Sequence, residues 1–193
     1  MAIIGKFIAN FCALFLAINI IGHLIAYLSI SAQLQSNQGR KILLKSINFI
    51  FLVSISFMFI CWLIFALTGI SPADLQIAAG VLLFSFSIYA LLNKEEEISP
   101  AKSSTLFPAA AQLIITPVFL VMLLVLMSLN GFIITLLSLL INLILVVYLL
   151  VNSQNVIGLL EHSGVKIISR VVNMLICAYA VMLIRQAIIT LLN

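Results

Sequence analysis

Charged residues are scarce in this chain of 193 amino acids. Only 7% of the residues are Asp, Glu, Lys or Arg, while 65% are hydrophobic, and soluble domains usually carry about 25% charged residues. A soluble fold could not cover this much apolar surface. The excess of Lys and Arg over Asp and Glu, nine against five, is small and dispersed. Because no nucleic-acid motif accompanies it, we expect no nucleic-acid partner.

Side chains that carry chemistry are also few. All five carboxylates fall between apolar runs or at their ends, and neither HExxH nor GxSxG occurs, so a membrane enzyme is the least favoured class of function. Cys12, Cys61 and Cys177 lie inside apolar runs without metal-ligand spacing. We predict that these cysteines are small buried packing residues, and that the protein has no metal site and no cofactor.

Long hydrophobic runs, in contrast, fill the chain. The first of them resembles a secretory signal because it follows Lys6, but its length of about 24 residues exceeds the roughly 7 to 15 of a signal's apolar region. We therefore predict an all-α polytopic membrane protein, one transmembrane domain over residues 1–193 with six membrane-spanning helices. The six runs cover about residues 7–30, 42–67, 75–92, 106–129, 132–151 and 168–192.

Polar and turn-forming segments separate the runs. Thr68-Gly69 is expected to end the second helix, and Ser71, Pro72 and Asp74 supply the hydroxyl, proline and carboxylate of a capping box that begins the third. The remaining predicted connections are a loop over residues 33–41, a solvated linker over about 93–105, a tight turn at Asn130-Gly131 and a connector over 152–166.

Basic residues predict the orientation in the membrane. Alternating placement of the loops leaves Lys6 and Arg185 on one side and seven cations on the other. By the positive-inside rule the side with seven cations is cytoplasmic, so both termini face outward in a cell (inner) membrane with lipids as partners. The seven are Arg40, Lys41, Lys45, Lys94, Lys102, Lys166 and Arg170.

Each run also carries small or polar residues at helical spacing. Such stripes are typical of helices that pack against each other in lipid, so we expect them to face the bundle interior. The stripes are Cys12, Asn19, Gly22, His23 and Ala26; Ser54, Cys61 and Thr68; Gln76, Gly80 and Ser87; Thr105, Ala109, Gln112 and Thr116; Gly131, Thr135, Ser138 and Asn142; and Arg170, Asn173, Cys177 and Ala180.

Polar groups at the middle of the first and fourth runs form the candidate site. A proline in the fourth run frees a backbone carbonyl, and the neighbouring side chains offer neutral donors and acceptors suited to a zwitterion. The hypothesis is a small polar cavity near the bilayer midplane. Its predicted substrate-binding residues are Asn19, Gly22, His23, Gln112, Thr116 and Pro117.

A structural role for some of these polar groups stays open. Asn19 and His23 are one helical turn apart and could instead bond to other helices as interhelical contacts. For Asn142 and Asn173 this structural interpretation is the favoured one. Arg170 and Arg185 lie near the ends of the sixth run, where we expect them to extend toward the lipid head groups.

The two halves of the chain, about residues 1–92 and 106–193, would each contain three helices and insert with opposite orientation. An offset of 94 residues lays Gly22-His23 over Thr116-Pro117. The sequence also resembles the MarC family of bacterial and archaeal multi-pass membrane proteins, best at Thr68-Gly69-Ile70-Ser71 and over residues 76–84. The resemblance implies two inverted three-helix repeats. It also implies a transporter of small neutral amino acids, such as glycine or alanine, as an archaeal relative is regarded to be.

The chain departs from the family pattern where a substrate would bind. The family's first-helix motif is Asp-Pro-x-Gly-Asn-x-Pro, and of residues 19–25 only Gly22 matches it; in the fourth helix Pro108 and Pro117 are kept without the flanking glycines. The pattern favours a helix break near Pro117 and no longer favours one in the first helix. The alternative function is a non-transporting interaction or scaffold protein with a degenerate site.

Overall fold

The computed structural model describes residues 2–20, 36–92 and 115–192, and the structure of these residues is all-α. The predicted site residues Gly22, His23 and Gln112 and the predicted linker 93–105 lie outside them. The described helices are α1 (Ala2–Ile18), α2 (Ser36–Thr68), α3 (Pro72–Leu92), α4 (Pro117–Asn130), α5 (Phe132–Val151) and α6 (Ser153–Leu192).

Four of these helices contain a segment that is long and apolar enough to cross a membrane. α1 and α4 are apolar but shorter, with 17 and 14 residues. A hydrocarbon core of about 30 Å needs roughly 20 helical residues, so neither short helix spans it alone. The four long segments are Lys45–Thr68, Pro72–Leu92, Phe132–Val151 and Ile167–Leu192.

Two predicted connections are wrong because helix continues through them. α2 begins at Ser36, so residues 36–41 are helical, and α6 begins at Ser153, so only Asn152 separates it from α5. Polar composition indicates that a segment meets water. A helix can satisfy its backbone hydrogen bonds in water as well as a loop can, so composition does not distinguish the two. With 33 and 40 residues, α2 and α6 extend well past their apolar segments.

The predicted helix ends between α2 and α3 are confirmed. Gly69 has φ +70 and donates its N–H to the carbonyl of Phe65 at 3.1 Å, which ends α2. Ser71 and Asp74 then form a reciprocal cap. The Asp74 N–H donates to Ser71 Oγ at 3.2 Å, while the Ser71 hydroxyl donates to Asp74 Oδ2 at 2.6 Å.

Gly131 makes the predicted turn between α4 and α5. Its φ of +88 is unfavourable for residues with a Cβ, and its N–H donates to the Met127 carbonyl at 2.9 Å. One residue between two helices that pack against each other makes α4 and α5 antiparallel neighbours.

α4 lies at the centre of the described bundle and packs against α1, α2, α3 and α5. Its buried side chains interlock with Leu14 and Ile18 of α1 and with Leu139 of α5. Large apolar residues on the outer faces of the other helices, including Trp62, stay exposed, as expected where lipid is the solvent. The buried side chains of α4 are Phe119, Met122, Leu123, Val125, Leu126 and Met127.

α3 and α6 pack closely along a predicted stripe. Gln76, Gly80 and Ser87 are buried, as is Ala180 of α6. A Cβ added to Gly80 would lie 2.9 Å from the carbonyl oxygen of Ala180 and 2.5 Å from Cγ1 of Ile184. Glycine therefore lets the backbones approach to a distance that no larger residue permits.

The stripe predictions are confirmed for α3 and for Thr135, Ser138 and Asn142 of α5, which are buried. They are wrong in part elsewhere, since Gly131 is exposed and Cys61 and Cys177 are only half-buried. Cys12, predicted to be buried, is exposed, and so are Thr68 and Arg170. Because 3.6 residues make a turn, a stripe chosen two residues out of register lies on the other side of the helix. The buried residues of α1 are Asn10, Ala13, Leu14, Ala17 and Ile18.

Candidate functional site

Asn19 interrupts the first apolar run. It has a left-handed φ of 44, and its N–H donates to the carbonyl of Leu16 at 3.0 Å, so α1 ends at Ile18. Asn tolerates this conformation better than any neighbouring residue, because Ile18 and Ile20 are β-branched. Helix α1 thus ends inside the first apolar run. The loss of the family's prolines had favoured a helix without a break at this point.

The side chain of Asn19 joins α1 to α6. Its Nδ2 donates to Ser169 Oγ at 3.2 Å, and its Oδ1 is buried with no hydrogen-bond partner among the described residues. An unmatched buried carbonyl oxygen costs on the order of 1–3 kcal/mol, so it is a position where a bound donor would be favoured. Asn19 Oδ1 is therefore a buried oxygen that a solute could reach with a hydrogen-bond donor.

Ser169 was not among the predicted site residues. It is 2% exposed and lies in register with the buried positions Val172, Ile176 and Ala180 of α6, so the period of that stripe could have identified it. Ser169 is two residues from the start of the apolar segment at Ile167. Asn19 is therefore level with the beginning of that segment and not with its middle, where the midplane hypothesis placed it.

A second chain interruption begins α4. Thr116 is the N-cap, with its Oγ1 accepting the Phe119 N–H at 3.2 Å, and Pro117 is the first helical residue. The Leu120 N–H donates to the Thr116 carbonyl at 3.1 Å. Since proline has no N–H, Val118 carries the first-turn donor that lacks a partner within the helix. A break was predicted near Pro117 within a helix over about residues 106–129; α4 begins at Pro117, and residues 106–114 lie outside the described residues.

The two interruptions lie at similar levels of the bundle. Asn130 Nδ2 donates to Asn10 Oδ1 at 2.6 Å, which ties the end of α4 to the middle of α1. Asn19 lies nine residues after Asn10, about 13 Å further along α1, and Pro117 lies thirteen residues before Asn130, about 20 Å back along α4. Helices α1 and α4 run antiparallel. Both helix ends therefore lie on the same side of the bond. Neither Asn19 nor Thr116 hydrogen-bonds the other, since their partners are Ser169 and Phe119.

A polar seam, which we define as Asn10, Asn130, Thr135, Ser138 and Asn142, joins α1 to the α4–α5 pair. Asn10 is fully buried and donates to Thr135 Oγ1 at 3.1 Å, while Ser138 Oγ donates to the Phe7 carbonyl at 3.4 Å. Asn142 Nδ2 donates to the carbonyls of Phe11, at 3.2 Å, and Ser138, at 2.9 Å. The carbonyls of Phe7 and Phe11 meet Ser138 and Asn142, four residues apart on each helix, so α1 and α5 run parallel. The interhelical role expected for Asn142 is what the structure shows.

No cluster of three or more His, Cys, Asp or Glu side chains that could hold a metal ion occurs within residues 2–20, 36–92 and 115–192. The main grooves of the described surface also lie away from Asn19 and Thr116. One, of about 370 Å³, lies between α3 and α6, and the other, of about 250 Å³, lies between α2 and α5. The polar groups at the two helix ends are candidates for recognising a solute. Further buried polar atoms without a partner among the described residues belong to Ser54, Gln76, Ser87 and Asn142.

The presence of several helices long and apolar enough to cross a membrane agrees with a comparison to known families. The model of the MarC family, described as an integral membrane protein family, matches residues 4–192. The chain belongs to the MarC family. No curated protein and no solved structure matches this MarC protein. The match extends over both chain interruptions and the polar seam.

Proposed function

We propose that this MarC protein is a secondary transporter of small neutral amino acids or similar small polar solutes. The solute would bind between the end of α1 and the beginning of α4. The observation that carries the proposal is that these two ends, which lie on the same side of the Asn10–Asn130 bond, have opposite polarity. Helix α1 presents its carboxyl end and the vacant Asn19 Oδ1, while α4 presents its amino end and the Val118 N–H.

This arrangement suits a zwitterion. The carboxyl end of a helix carries partial negative charge and unpaired carbonyls, which favour an ammonium group. The amino end of a helix favours a carboxylate. No described carboxylate or cation lies at either end, and a neutral polar site selects a solute without net charge.

The proposed architecture is six membrane spans in two inverted three-helix repeats, over about residues 1–92 and 106–193, in the cell inner membrane with both termini outside. Support comes from the two interruptions: Asn19 and Thr116 are separated by close to the 94-residue offset between the halves. A reporter fused to the C-terminus should be active only outside the cytoplasm. Cytoplasmic activity would contradict the orientation.

The test of transport uses the purified chain in liposomes with labelled glycine and alanine. We expect uptake by the wild type and a loss of at least tenfold in Asn19→Leu, because leucine offers no acceptor. Asn48→Leu is the matched control, since Asn48 is an exposed asparagine of α2, and it should stay within about twofold of wild type.

The Thr116 cap provides a second arm of this test. Thr116→Ser keeps a hydroxyl for the Phe119 N–H and should transport, whereas Thr116→Val should lower uptake because the helix start loses its cap. No uptake of any small solute by the folded wild type would contradict the proposal. Wild-type growth phenotypes in cells carrying Asn19→Leu would support the scaffold alternative.

A further inference from the structure

A groove of about 370 Å³ opens on the outer face of the α3–α6 pair. Phe84 of α3 forms one wall, and α6 provides the rest. One lining side chain is charged, and the others are hydrocarbon. The lining residues of α6 are Val181, Ile184, Arg185, Ile188 and Ile189.

Arg185 is exposed at this groove, and among the described residues it has no hydrogen bond or ion pair. Its apolar neighbours lie one turn before it, at Val181, and one turn after it, at Ile188 and Ile189. A cation within an apolar span requires an anionic partner or a path to the head-group layer. The groove is thus a hydrocarbon channel that the aliphatic part of the Arg185 side chain helps to line, with an unmatched positive charge beside it.

Arg185 lies close enough to the end of the apolar segment for its side chain to extend toward the lipid phosphates. It lies seven residues, or about 10 Å, before Leu192 at the end of the apolar segment, and its long side chain can extend toward the head groups. The guanidinium donates to two phosphate oxygens at once, and in a lipid without a choline cation this phosphate leaves the head group with a net negative charge.

We infer that this groove binds an anionic glycerophospholipid, with its phosphate on Arg185 and one acyl chain along Phe84, Val181 and Ile188. A second copy of the chain would have to supply a carboxylate at this depth. Asp74 is the one carboxylate in the described apolar segments, and it already accepts from the Ser71 hydroxyl. The lipid is therefore the occupant whose chemistry complements both parts of the groove.

The bound lipid would also support the fold. Ile184 lines the groove and is the side chain that lies over Gly80 at the closest contact between α3 and α6. An acyl chain against Ile184 would fill the space beside this contact and restrain the isoleucine. Lipid binding and the packing of α3 on α6 are then coupled, independently of transport.

The test is native mass spectrometry of the full chain released from nanodiscs of phosphatidylcholine with one fifth phosphatidylglycerol. We expect wild type to retain phosphatidylglycerol at least fivefold over its share of the bilayer, and Arg185→Gln to reduce this enrichment to near one. Val181→Trp should lower retention of both lipids because the ring fills the groove. Arg170→Gln, which removes an exposed arginine of α6 outside the groove, should behave as wild type.

Three results of the lipid-retention measurement would overturn the inference. They are equal retention of both lipids by the wild type, unchanged enrichment in Arg185→Gln, and an equal loss in Arg170→Gln, which would indicate general attraction of cations for anionic lipid. A wild-type dimer that Arg185→Gln converts to a monomer would also overturn it, because the groove would then be a contact between copies.

Discussion

The polar seam and the α3–α6 contact hold helices together in opposite ways. Along the seam, Asn10, Ser138 and Asn142 reach across to another helix with hydrogen bonds. Between α3 and α6 the contact depends on the missing side chain of Gly80, which lies against Ala180 and Ile184. Lipid provides no hydrophobic drive for helix association, so directional bonds and close packing are the two means available.

The difference indicates which interface is suited to movement. Hydrogen bonds can be exchanged for bonds to water or to a solute, and the seam is held by such bonds between helices. Close packing cannot be replaced in this way, because the dispersion attraction between two helices falls steeply when their backbones move slightly apart. We therefore expect α3 and α6 to stay together while α1 shifts against α5, and the following variants test this contrast.

Gly80→Val should have the largest effect. Its Cβ would lie 2.9 Å from the backbone oxygen of Ala180, so the two helices must separate, at a cost of about 3 kcal/mol. Thermal unfolding in detergent should show a clear fall in midpoint. Gly5→Val is the control, because a Cβ at Gly5 has no neighbour within 4 Å. Equal midpoints for the two variants would contradict the close-packed interface.

Asn10→Leu should have an intermediate effect. Leucine has a similar volume, but it removes both bonds of the fully buried amide and leaves the Asn130 amide without its acceptor. The expected cost is about 1–2 kcal/mol, measured as the shift of the unfolding midpoint relative to Asn48→Leu. A double cycle with Thr135→Val should give a coupling of the order of 0.6 kcal/mol. Additive effects would show that this bond does not contribute.

Asn142→Leu should have the smallest effect on stability. The carbonyl of Phe11 loses a donor from Asn142 Nδ2, while the buried and unmatched Asn142 Oδ1 is removed at the same time. These changes oppose each other, so we expect a difference below about 0.6 kcal/mol in either direction. A loss as large as that of Asn10→Leu would show that Asn142 Oδ1 has a partner, such as an ordered water.

Local signals in the sequence predicted the helix ends well. Gly69, the Ser71–Asp74 cap and Gly131 each depend on the conformational or hydrogen-bonding needs of a few adjacent residues, and all three are confirmed. The stripes on α3 and α5 were also predictable, since burial on one side of a helix produces a 3.6-residue period.

What could not be predicted depends on contacts between distant residues. The break at Asn19 rests on one residue without proline or glycine, and its partner Ser169 is 150 residues away. Asn10 was overlooked because Cys12, two positions on, fitted an equally regular stripe. The helical segments 36–41 and 153–166 were taken for loops because hydropathy measures contact with lipid and not backbone conformation.

The length of α6 has a mechanical consequence. Helix α6 is one continuous helix of 40 residues, about 60 Å long, which contains both Ser169 and Ile184, the residue that packs on Gly80. Its first 14 residues extend about 20 Å beyond its apolar segment. If α6 pivots at Ile184 as a rigid lever, a tilt of about 5° would carry Ser169 through roughly 2 Å and its free end through about 4 Å. The shorter displacement is enough to part Ser169 from Asn19. A force on residues 153–166 of α6 would then control whether the space beside Asn19 Oδ1 is open to a solute.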